Sequence, residues 1–85
     1  MNNKQRKTLE RLFADPISGN IKWSDIESLL VTLGAAITEG NGSRIRVVLG
    51  DVPVVFHRPH PESTAGKLLV KAVRKFLKDV GVEDA

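Results

Sequence analysis

The stretch Arg44–His57 constrains the fold of this chain most, because it contains two alternating segments joined by a two-residue turn. In "RIRVVL" three aliphatic residues alternate with Arg44, Arg46 and Val48, so one face of a strand is apolar and the other carries two guanidinium groups. The dipeptide "GD" is a hairpin signal, and "VPVVFH" follows it as the next strand. The stretch therefore predicts a β-hairpin that buries one face and exposes the other.

A weaker strand, "AAITE" at residues 35–39, precedes the hairpin, and the turn "GNGS" connects the two. Pro53 lies near the start of the last strand, which favours an edge position because proline cannot donate a ladder hydrogen bond. Three consecutive strands joined by short turns predict an antiparallel meander.

Three further segments have the apolar spacing of amphipathic helices. The first is "KQRKTLERLFA" (Lys4–Ala14), which the loop "DPISGN" follows. The second, "WSDIESLLVTLG", contains the S-x-x-E pattern of a capping box, which predicts Ser24 as the N-cap and Glu27 as its partner. The third lies within "STAGKLLVKAVRKFLKDVG", and its predicted inward-facing residues are Leu69, Ala72, Val73, Phe76, Leu77 and Val80.

The order of these elements, α-α-β-β-β-α, predicts an α+β fold in which helices cover one face of a three-stranded antiparallel sheet. The 85 residues favour one small domain, since a chain of this length rarely supports two cores. The chain has no cysteine, which excludes disulfides, thiolate zinc sites and a cysteine nucleophile. No apolar run is long enough for a signal sequence or a membrane span, so we expect a soluble, cytoplasmic protein.

Positive charge is concentrated in the second half of the chain. Residues 43–78 contain eight cations and two acids, whereas residues 1–42 contain five of each. On the last helix five cations share the face opposite the core: Lys67, Lys71, Arg74, Lys75 and Lys78. Such a surface attracts a polyanion such as RNA or an acidic partner protein, although a solvated lysine face has the same composition.

Both histidines lie in the segment "FHRPHP". A metal site would need further ligands beside His57 and His60, and only Glu62 is close in sequence, so no metal or other cofactor is predicted. Histidine suits general acid–base catalysis, and with Arg58 and Arg44 nearby the pair could serve RNA cleavage. The alternative is a strand-end role in which the histidines only satisfy hydrogen bonds.

The order and spacing of several segments resemble the HicA family, the toxins of HicA–HicB toxin–antitoxin systems. The matching segments are "LLVTLGAAITEGNGSRIRV" (Leu29–Val47), "VVFHRPHP" (Val54–Pro61) and "GKLLVKAVRKFLKDVGV" (Gly66–Val82). The resemblance implies a fold like the double-stranded RNA-binding domain over residues 22–82. An additional helix and loop precede it at 1–21, and an acidic tail follows at 83–85.

The same resemblance implies a metal-independent endoribonuclease that cuts mRNA and is neutralised by a HicB-like antitoxin. The family's catalytic histidine follows a Gly-Ser pair at the start of the second strand, where this chain has Arg44. His60 matches the histidine of the family's P-H-P segment. We therefore expect His57, His60 and Arg44 to carry catalysis, and the other cations to contact RNA phosphates: Arg46, Arg58, Lys67, Lys71, Arg74, Lys75 and Lys78.

The residues leave two other functions open. The domain could bind RNA through phosphates and 2′-hydroxyls without cutting it, or it could bind only an acidic partner through its basic face. Three Phe, one Trp and no Tyr argue against recognition of single strands by stacking on an aromatic surface.

Overall fold

Three helices and a three-stranded antiparallel sheet follow one another in the predicted order, which confirms the α+β class. The computed structural model describes residues 1–83, so of the predicted acidic tail only Glu83 lies within the described residues. The elements are α1 (Asn3–Leu12), α2 (Trp23–Thr32), β1 (Ala36–Glu39), β2 (Arg44–Leu49), β3 (Val52–His57) and α3 (Lys67–Asp79).

The sheet is a meander of order β1-β2-β3, and β2 and β3 have the bounds that the alternation predicts. Gly50 in the turn between them has φ +60°, a conformation that favours glycine. Val48 and Pro53 are opposed in the β2–β3 ladder, and β3 is an edge strand. The edge position predicted from Pro53 is therefore confirmed.

The core lies between one face of the sheet and the helices. Ile45, Val47 and Phe56 are buried on that face, as the alternation requires. The ring of Phe56 packs edge-on against Trp23 of α2, with ring centroids 6.0 Å apart, and against Phe76 of α3, with centroids 5.9 Å apart. α2 and α3 therefore cover the apolar face of the hairpin, while α1 packs against both helices.

The predicted capping box of α2 is wrong. The helix begins at Trp23, its N-cap is Lys22, and no side chain caps it, so Ser24 is already inside the first turn. The Trp23 backbone N–H donates instead to the Ser63 carbonyl oxygen at 2.9 Å. A contact from a distant segment thus satisfies the first N–H of the helix and leaves the Glu27 side chain available for another role.

The predicted inward face of α3 is wrong at two residues, because it includes Ala72 and omits Val70. Val70, Val73, Phe76 and Leu77 are buried, whereas Ala72 is exposed. Val70 belongs to the common hydrophobic core, and α3 packs against both α1 and β3.

The loop between α1 and α2 fixes the start of α3. The Gly66 N–H donates to the Gly19 carbonyl oxygen at 2.9 Å. A Cβ atom on Gly19 would lie 2.5 Å from the Lys67 nitrogen, so only glycine fits at this close approach of two backbones.

Candidate functional site

The face of the sheet opposite α2 and α3 carries Arg44, Arg46, Val55 and His57, all of them exposed. In the β2–β3 ladder Arg44 is opposed to His57, and Arg46 is opposed to Val55. Directly opposed residues in an antiparallel pair have Cβ atoms about 5 Å apart. A guanidinium and an imidazole therefore share one end of this surface, which we call the open face.

Arg58 follows His57 directly but turns to the helix side of the sheet. Its Nε donates to Glu27 Oε1 of α2 at 2.5 Å, and its Nη1 donates to both carboxylate oxygens of Glu39 at 2.6 Å. A longer bond of 3.3 Å joins its Nη2 to Glu27 Oε2. Trp23 Nε1 also donates to Glu27, at 2.5 Å. These bonds tie together α2, the end of β1 and the segment after β3.

The negative charge of Glu27 and the positive charge of Arg58 stabilise each other. The hydrogen bond from Arg58 holds the pKa of Glu27 below its usual range, and the Trp23 indole lowers it further, while partial burial acts in the opposite direction. Hydrogen bonds to Glu27 and Glu39 raise the pKa of Arg58. Each guanidinium nitrogen of Arg58 thus donates within the protein, which distinguishes this residue from Arg44 and Arg46 on the open face.

His60 lies with Arg58 and not with His57. It contributes to a cavity of about 680 Å³ whose lining residues are Gly42, Ser43, Arg58, Pro59 and His60. The Arg58 backbone N–H donates to the Ser43 carbonyl oxygen at 2.9 Å, which adds one pair to the ladder beyond Arg44 and His57. The two histidines therefore have different surroundings, one on the open face and one in this hairpin-end cavity.

The five cations predicted on one face of α3 are not equivalent. Lys75 pairs with Asp79 one turn later, with 3.0 Å between Nζ and Oδ2. Arg74 has a structural role, because it links α3 to the end of α1. Its side chain is only 16% exposed, and it donates to the Leu12 and Ala14 carbonyl oxygens at 2.6 and 2.8 Å. Lys75 is exposed despite its pair with Asp79, and so are the other three cations: Lys67, Lys71 and Lys78.

Sequence reasoning missed Glu27 and Glu39 as partners of Arg58. Trp23 and Glu27 are four residues apart on one helix, a spacing at which side chains meet, so their contact had a local signal. The capping-box pattern instead predicted that Glu27 would pair with the N-cap at Ser24. Nothing local points to Glu39, which lies 19 residues from Arg58 in the chain.

Residues 1–83 contain neither a cluster of metal ligands nor a helix suited to a membrane. In this range no group of three or more His, Cys, Asp or Glu side chains lies close enough to hold a metal ion. None of the helices described in this range has the length and apolar character needed to cross a membrane.

The fold and the open face define a small α+β domain in which helices cover one face of a meander sheet and arginines line the other. Residues 23–82 match the family model described as HicA toxin of bacterial toxin–antitoxin. The chain therefore belongs to the HicA toxin family and is a toxin of a toxin–antitoxin system, with an antitoxin as its partner. Neither the curated proteins nor the solved structures gave a match. α1 lies outside the matched residues.

Proposed function

We propose that this toxin is an mRNA interferase, an endoribonuclease that binds RNA at the open face and is neutralised by a HicB-like antitoxin. One observation supports the proposal most: Arg44 and His57 are exposed and directly opposed in the sheet of a HicA-family chain. An activity on mRNA implies a cytoplasmic location.

The proposed reaction needs two proton transfers and one site for negative charge. The 2′-oxygen of a ribose attacks the adjacent phosphorus, the bond from phosphorus to the 5′-oxygen breaks, and a 2′,3′-cyclic phosphate forms. A base takes the proton of the 2′-hydroxyl, and an acid gives a proton to the 5′-oxygen. We assign the proton transfers to His57 or His60, and the stabilisation of the phosphate oxygens to Arg44.

The surrounding cations supply the phosphate contacts of the proposed RNA site. Arg46 lies two residues after Arg44 on the same face of β2, so it can hold a second phosphate. The exposed lysines of α3 lie in the helix layer and form a second positive surface, which we assign to further phosphates of the RNA: Lys67, Lys71, Lys75 and Lys78. Arg58 and Arg74 are left out of this set because their guanidinium groups donate to protein oxygens.

The test is cleavage of a purified mRNA in the presence of EDTA. We expect the wild-type protein to cut the mRNA. The variants His57→Ala, His60→Ala and Arg44→Ala are tested beside it, and a loss of cleavage identifies each residue that the reaction needs. Arg6→Ala is the matched control for Arg44→Ala, because Arg6 is exposed on α1 and the same charge is removed there. Intact RNA with wild-type protein, under conditions where binding is measured, would contradict the nuclease proposal.

The antitoxin part of the proposal has its own test. A HicB-like chain that covers the open face should suppress both RNA binding and cleavage when it is added in equal amount. An antitoxin affinity that is unchanged by Arg44→Ala and Arg46→Ala would show that the antitoxin binds elsewhere.

A second candidate is a domain that binds RNA or the antitoxin without cutting RNA. Arg44 favours it, because this arginine opens β2 where the resemblance places the family's catalytic histidine. RNA binding with no cleavage by wild-type protein would select this candidate.

A further inference from the structure

The hairpin-end cavity lies one residue pair beyond Arg44 and His57, where the Arg58 N–H donates to the Ser43 carbonyl oxygen. It is an open cleft at the surface with a volume of about 680 Å³, which leaves room for a small flat ligand. An RNA strand that contacts Arg44 and continues past this end of the hairpin would reach the cavity.

The charges beside the cavity disfavour a phosphate inside it. Glu27 and Glu39 both hold the guanidinium of Arg58, so two carboxylates surround one cation. All three guanidinium nitrogens already donate to carboxylate oxygens. A bound phosphate would have to displace these bonds and would meet two like charges.

The groups that remain suit a flat, uncharged ligand. Since carboxylates occupy the edges of the Arg58 guanidinium, its planar face is the part left for a ligand, and 32% of this side chain is exposed. Pro59 and the imidazole of His60 add two more ring surfaces, and the Ser43 hydroxyl adds a hydrogen-bonding group. Proteins hold unstacked RNA bases by stacking on guanidinium planes and on histidine, with hydrogen bonds to the base edge.

We propose that the hairpin-end cavity receives one unstacked nucleobase of a single-stranded RNA, next to the phosphate at Arg44. The inference rests on the proposed function, because it names the part of the RNA that enters this cavity. Few aromatic residues are available in the chain for a row of stacked bases. The cavity therefore binds a single base, and Arg58 takes part through its face and not through its charge.

The test measures the affinity of a short 2′-O-methyl RNA, which cannot be cut because it lacks the 2′-hydroxyl nucleophile. A series of the same oligonucleotide, with one base removed at each position in turn, reports which base is bound. Ser43→Leu fills the cavity, and Ser43 is exposed, so the change is compatible with folding. Asn41→Leu is the matched control, because Asn41 is an exposed residue of the same turn that does not line the cavity.

We expect removal of one particular base to weaken binding between about fivefold and a hundredfold, the usual effect of one stacked base. Ser43→Leu should weaken binding of the complete oligonucleotide by the same factor. It should leave the affinity for the oligonucleotide without that base unchanged. Asn41→Leu should change neither affinity. The proposal is overturned if Ser43→Leu has no effect, or if its effect is equal for every oligonucleotide of the series.

Two further outcomes separate this inference from the proposed function. If Arg44→Ala abolishes RNA binding while Ser43→Leu weakens only antitoxin binding, the cavity holds a side chain of the partner and the base proposal is wrong. If wild-type protein binds no RNA, the proposed function itself fails, and the base proposal fails with it.

Discussion

Replacing Glu27 by Gln tests the network around Arg58, because the change keeps the shape of the side chain and removes its charge. Gln can still accept the bond from Trp23 Nε1, so the loss falls on the two bonds from Arg58. A hydrogen bond to a charged group contributes about 1.5–3 kcal/mol, whereas a fully exposed ion pair contributes about 0–1 kcal/mol. The side chains of Glu27 and Arg58 are 25% and 32% exposed, which is an intermediate case.

We therefore expect Glu27→Gln to lower the free energy of unfolding by about 1.5 kcal/mol at pH 7. For a domain of this size that change corresponds to a fall in Tm of roughly 6–12 °C. Urea unfolding can be followed by the fluorescence of Trp23, the single tryptophan of the chain. Glu10→Gln is the matched control, since Glu10 is exposed on α1 and forms none of the ion pairs within residues 1–83.

The pH dependence gives the same prediction a second test. The pKa of Glu27 is lower in the folded protein than in the unfolded chain, chiefly because of the bond from Arg58. The unfolded chain then binds the proton more tightly, so the stabilisation is complete above the ordinary glutamate pKa of about 4.3 and is lost as the pH falls through the lower folded value. The difference between wild type and Glu27→Gln should be constant from pH 6 to 8 and shrink below about pH 4.5.

Two results would refute this reasoning. The first is an effect of Glu27→Gln at pH 7 no larger than that of Glu10→Gln. The second is a difference in stability that stays unchanged as the pH falls to about 3, well below the ordinary glutamate pKa.

Three other substitutions test other parts of the structure. Gly19→Ala should lower the free energy of unfolding by about 1–3 kcal/mol, because its Cβ would press on the backbone at the start of α3, and an unchanged urea midpoint would contradict this. Arg74→Ala should cost about 1–3 kcal/mol by freeing two carbonyl oxygens at the end of α1, whereas the exposed Lys75→Ala should cost less than about 0.5 kcal/mol in the same assay. Arg46→Ala should reduce the slope of log affinity for single-stranded RNA against log salt by about 0.7, and Arg6→Ala should leave the slope unchanged.

Local patterns were sufficient to predict the hairpin. The alternation from Arg44 to His57 depends only on the two-residue period of a strand, so it fixed the bounds of β2 and β3 and the face on which Arg44 and Arg46 lie. Pro53 identified the edge strand, because proline has no backbone N–H to donate and an inner strand needs donors towards both neighbours. These predictions needed no knowledge of distant contacts.

Local patterns gave wrong predictions where a contact with a distant segment replaced the contact expected from nearby residues. The pattern S-x-x-E predicts a capping box at Ser24, but the N-cap is Lys22, two residues earlier, and the Trp23 N–H donates to the segment after β3. On α3 the helical period allows either Ala72 or Val70 in the buried stripe, and in the packed fold Val70 is buried and Ala72 is exposed.

The sequence by itself determined the order of the elements, the two faces of the hairpin and the presence of every candidate side chain. Only the tertiary structure decided the surroundings of Arg58 and His60: Arg58 binds two carboxylates on the helix side, and His60 lies with it in a separate cavity. Arg58 meets Glu39 and Glu27 across 19 and 31 residues of chain. Periodicity acts over a few residues, whereas such partners are brought together only when helices pack on the sheet, which is why residue spacing could not predict them.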